Sequence, residues 1–90
     1  MTFDDETLRR GYWYIMHNPT GFVEGLDRID DGLADYFARA GIISFGINSI
    51  AQIRYRVTED GAELAELGYR LITSKMVRER LIEKSMAEAV

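Results

Sequence analysis

Two sets of charged residues in this sequence have the types and spacing to act on a partner, and they are of opposite sign. Asp27, Asp31 and Asp35 recur at four-residue steps with Asp30 beside them, which on a helix lines carboxylates along one face. Such a face repels phosphates and has three readings: a solvated surface that keeps a small protein soluble, a docking surface for a basic protein, or a groove reader that works through unusual contacts. Arg54 and Arg56 alternate with apolar residues, so on a strand they share one side with Gln52, and Asn48 lies just ahead. Those side chains have the donors for phosphates and base edges, or are simply the wet face of a half-buried hairpin. A third set is aromatic: Tyr12-Trp13-Tyr14, with His17 one helical turn beyond Trp13. It offers a stacking surface for a planar ligand, an anchor for a protein interface through Trp13, or core and rim packing.

Catalysis finds little support. The chain has no cysteine and a single histidine, so thiolate nucleophiles, structural zinc and a multi-histidine metal site within one chain are excluded. There is no nucleophile elbow, P-loop or glycine-rich dinucleotide fingerprint. Asp30, Asp31 and Asp35 could hold a hard cation but lack the ligand spacing of a calcium loop. The reading is a non-catalytic binding protein with neither cofactor nor metal.

The elements that must position these residues fit one domain over residues 1–90, since that length leaves no room for a second. At 47% apolar and 11% aromatic, the chain can build a small core. Its net charge of −4 has the wrong sign for gripping nucleic acid through bulk charge. From Gln52 onward acids and bases balance, so the whole deficit lies earlier in the chain. No stretch is long and apolar enough for a membrane span and the first residues are acidic, so a cytoplasmic protein is expected.

Leu8, Tyr12 and Ile15 predict a first helix over 4–16, stopped at His17-Asn18-Pro19. Thr20 is expected to cap a short second helix to Leu26, with Phe22, Val23 and Leu26 facing the core. A third helix capped by Asp27 or Asp30 should run to Ala40 on Ile29, Leu33 and Phe37, with Gly41 as its stop and Asp27, Asp31, Ala34, Asp35 and Ala38 outward. Ile43, Phe45 and Ile47, then Ile53, Tyr55 and Val57, alternate with polar residues and predict a β-hairpin with one wet face. Thr58 should cap a terminal helix over about 59–86, with Gly68 and Thr73-Ser74-Lys75 as breaks.

Two stretches carry a resemblance. Phe37-Ala38-Arg39-Ala40-Gly41-Ile42-Ile43 resembles the end of a recognition helix entering the first wing strand. Tyr55-Arg56-Val57-Thr58-Glu59-Asp60-Gly61-Ala62-Glu63-Leu64 resembles the second wing strand and the capped helix after it. With the element order, they are similar to a winged helix-turn-helix domain of the small prokaryotic or phage regulator type, an α+β fold. The resemblance implies a DNA-associated transcriptional regulator whose wing residues Asn48, Gln52, Arg54 and Arg56 touch DNA. It also implies a homodimer, for which Leu67, Leu71, Ile72, Met76 and Leu81 supply apolar surface. The acidic third helix departs from the family pattern, because readers of the major groove present Arg, Lys, Asn or Gln there. The alternative is a phage-like adaptor or DNA mimic that docks a basic protein through Asp27, Asp30, Asp31 and Asp35.

Overall fold

The computed structural model describes residues 3–47, 53–66, 68 and 72–88. Asn48 and Gln52, expected at the hairpin, and Leu67 and Leu71, expected at a dimer contact, lie outside the described residues. The chain folds as an α+β unit in the order α1 (Asp5–His17), β1 (Thr20–Phe22), α2 (Val23–Asp27), α3 (Leu33–Arg39), β2 (Ile43–Ile47), β3 (Ile53–Val57), α4 (Glu59–Glu66) and α5 (Ser74–Glu88). Among the described residues no helix is long and apolar enough to cross a membrane.

Helix α1 starts where Asp4 accepts the Thr7 N–H at 2.8 Å, with Asp5 and Glu6 at its positive end. It buries Leu8, Tyr12 and Ile15 at the predicted period. Where a second helix capped by Thr20 was expected, Thr20–Phe22 is instead a strand, and the helix waits until Val23. Pro19 holds the entering chain extended and its carbonyl accepts the Val57 N–H at 3.1 Å, which seeds pairing with β3. The sheet is antiparallel in the order β1-β3-β2, with Thr20, Gly21 and Phe22 opposite Arg56, Tyr55 and Arg54. Phe22 therefore stands on the wet side of the sheet, not in the core, and is 41% exposed.

The third helix is shorter than its apolar pattern suggests, because residues 28–32 form turns and Gly32, at φ 83°, opens α3 at Leu33. Asp27 still serves that helix from the end of α2, its carboxylate accepting the Ala34 N–H at 3.2 Å. Gly41, at φ 77°, ends it as expected: its N–H reaches the Ala38 carbonyl at 3.0 Å and the Ile42 N–H reaches the Phe37 carbonyl at 2.9 Å. Thr58 locks the junction of hairpin and α4, accepting the Gly61 N–H at 3.0 Å while its hydroxyl donates to the Gly41 carbonyl.

The core joins Leu8, Tyr12, Ile15, Leu26, Leu33, Phe37, Ile42, Ile43, Tyr55, Leu64, Ile72 and Val77. The rings of Tyr12 and Phe37 meet edge to face at 5.4 Å. From the hairpin Ile43 and Tyr55 are buried in this core, whereas Phe45 and Ile53, expected to face inward, are 46% and 47% exposed: Phe45 lies opposite Tyr55 on the border strand and Ile53 at the first position of β3.

Candidate nucleic-acid interface

One face of the sheet packs on the helices. The other carries Thr20 and Phe22 from β1, Arg54 and Arg56 from β3, and Ser44 and Gly46 from β2, placed side by side by the register. Thr20, Ser44, Gly46, Arg54 and Arg56 line an open groove of about 550 Å³ there. Both arginines are exposed, and among the described residues neither makes an ion pair. The Arg54 guanidinium sits over the Phe22 ring, 4.9 Å from its centroid, a cation–π contact that leaves its charge unneutralised. Strand geometry separates the two arginines by about 7 Å, the rise of two residues.

Tyr55, from the same strand, points to the opposite side, where its hydroxyl donates to the Asn18 carbonyl and its ring tilts against Tyr14. Burial pushes the phenol up to about 12, so it remains a neutral donor fixing the strand beneath the arginines. Gly21 makes room for it, since a Cβ at that position would stand 3.1 Å from the hydroxyl.

The continuous acidic helix face does not form. Asp27 turns inward to α3, Asp30 and Asp31 lie in the turn before that helix, and Asp35 is paired with Arg39 at 2.9 Å. Ala34, expected outward, is buried, and Ala38 is half-buried, because a helix this short packs against both α2 and β2. Among the described residues these carboxylates join no cluster able to hold a metal ion.

The apolar stripe expected at a dimer contact is also divided. Ile72 is fully buried, and Met76 and Leu81 pack partly against the core, because the segment entering α5 is tied to the first two turns of α1. Ser74 N–H donates to the Asp5 carboxylate at 2.6 Å and the Arg9 guanidinium to the Ile72 carbonyl at 2.9 Å, which fixes that placement. The Asp5 carboxyl lies below its ordinary range, chiefly because it accepts the Ser74 backbone N–H. In the aromatic set, Tyr12 is buried, Tyr14 leans on Tyr55, and Trp13 is exposed and stacked on His17 at 4.2 Å. Burial raises the Tyr12 phenol strongly, and its hydroxyl has no hydrogen-bond partner among the described residues.

The contribution of β1 to the interface escaped the sequence reading. Thr20-Gly21-Phe22 is too short for an alternation signal, and Pro19 was its one clue. Comparison with protein-family models, curated proteins and solved structures finds no match to this chain.

Proposed function

We propose that this chain is a winged-helix-type binding domain that associates with DNA through its sheet, with Arg54 and Arg56 on the phosphate backbone and no catalytic step. The carrying observation is the pair of unneutralised arginines on the uncovered face of the central strand, one over the Phe22 ring. Support for the fold reading comes from the order of helices and strands and from a short strand ahead of α2 that completes the sheet against the hairpin. Helix α3 presents a self-compensated Asp35–Arg39 pair, so phosphate contact outweighs base readout in this reading. A transcription regulator of this kind would draw its sequence preference from groove shape.

The test is anisotropy of a labelled mixed-sequence duplex titrated at low and at higher salt. Binding is expected to weaken steeply with salt, to be lost in the double variant Arg54→Glu/Arg56→Glu, and to persist or strengthen in Asp31→Lys/Asp35→Lys. No binding at low salt sinks the proposal. Capture of a basic protein that is abolished by the lysine variants and indifferent to the glutamates would favour docking through the acidic residues instead.

A further inference from the structure

A second hollow adjoins the arginine groove. Phe22, Val23 and Ile53 wall a crevice of about 370 Å³ between the sheet and α2, and Glu24 and Asp27 complete its lining. Arg54, which lines the groove, follows Ile53 in β3, and its guanidinium lies over the Phe22 ring, so the two hollows share that corner of the sheet. Phe22 and Ile53 are both exposed, which sets two large apolar side chains against open space beside a cationic groove.

The two carboxylates differ. Glu24 is paired with Arg28 at 2.8 Å, far out in solvent. Asp27 is half-buried, joins no ion pair among the described residues, and accepts the Ala34 N–H through Oδ1 alone. A carboxylate offers about four acceptor positions, so Asp27 brings spare acceptors to the crevice. Apolar walls, a spare acceptor and adjoining arginines together suit a ligand that is flat, carries N–H groups and hangs from a phosphate chain. An unpaired nucleobase has all three properties, whereas a base in a duplex has both its faces stacked.

We propose that the crevice takes an unpaired base of a DNA strand whose phosphates lie on Arg54 and Arg56, with the base against Phe22 and Ile53 and its exocyclic amino group donating to Asp27. The inference rests on the phosphate reading above and adds to it the state of the strand and the edge of the base. Among pyrimidines, cytosine presents an amino donor where thymine presents a carbonyl acceptor, so a carboxylate favours cytosine. A lysine or arginine of a partner protein would suit the same walls, but the charges of Arg54 and Arg56 next to them oppose it.

Anisotropy of labelled oligodeoxycytidine and oligothymidine of equal length tests it. The native protein should bind the cytidine strand at least about tenfold more tightly than the thymidine strand, and less tightly once the cytidine strand is annealed to its complement. Asp27→Asn keeps an oxygen for the Ala34 N–H but brings an amide NH2 to the crevice, and should carry the ratio of the two affinities to about one or below. Read as a ratio, the result is independent of the uniform gain from removing a negative charge. Phe22→Ala, at an exposed position, should weaken both strands by a similar factor. Circular dichroism melts verify that each variant folds. Equal affinity for the two strands, a duplex bound as tightly as the free cytidine strand, a ratio unmoved in folded Asp27→Asn, or native binding by Phe22→Ala overturns the crevice proposal while leaving salt-dependent binding through Arg54 and Arg56 in place. Binding that survives Arg54→Glu/Arg56→Glu overturns the phosphate reading, and this inference with it.

Discussion

Gly61 and Gly11 show how single atoms set the spacing between elements. A Cβ on Gly61 would run into the Ile42 carbonyl, a backbone group already accepting the Thr58 N–H, and neither side can yield without moving α4 off the sheet. A Cβ on Gly11 would meet the Phe37 ring at 2.9 Å, where a side chain can tilt. Gly61→Ala should therefore destabilise by more than the ~1–3 kcal/mol typical of overpacking, and Gly11→Ala by an amount within it, despite alanine's better helix propensity. Denaturant unfolding of both variants checks the order. Thr58, which caps α4 and donates to the Gly41 carbonyl, belongs to the same junction.

Among the elements, α5 is held at its start by the Thr73 hydroxyl, which accepts the Met76 N–H at 3.3 Å, and by one carboxylate from α1. Asp5 lies in the first turn of α1 and accepts the N–H of Ser74, the first residue of α5, so one charge serves two positive helix ends. Its pKa is depressed in the folded state, so its contribution is complete above the ordinary carboxylate range and is lost as pH falls through the folded value. Asp5→Asn should lower the melting temperature near neutrality and converge with the native protein in acid, a comparison that thermal melts across pH will make. This contact joins residues 69 apart and left no trace in the sequence. The elements that were legible there rest on local rules: the α1 period, the Gly41 stop, the Thr58 cap and the alternation of β2 and β3. The strand β1 and the break in the acidic face were not, since both follow from tertiary demands. The unpaired border of β3 recruited Thr20–Phe22, and Gly32 delayed α3 so that Asp31 fell in a turn. Arg54 and Arg56 were placed on one strand face by period alone, but their neighbours Thr20, Phe22 and Ser44 came from strand pairing.

At the scale of the whole molecule, order should decline toward the far end of α5. Residues 82–87 are all exposed, whereas α1 buries Leu8, Tyr12 and Ile15 completely. Native-state hydrogen exchange should therefore be faster at amides 82–87 than at 8–15, and equal protection would show that another contact holds the helix. The contacts of Asp5 with Ser74 and of Arg9 with Ile72 also set an order of events in time. They close loops of 69 and 63 residues, so the chain entropy of closure is met before either bond can form. During synthesis α1 meets α3 first, since Gly11 and Tyr12 pack on Phe37, and the segment that ties down its first turn arrives last. Until Ile72 and Val77 join the core, the growing chain is a partly closed intermediate, a natural stop for a chaperone.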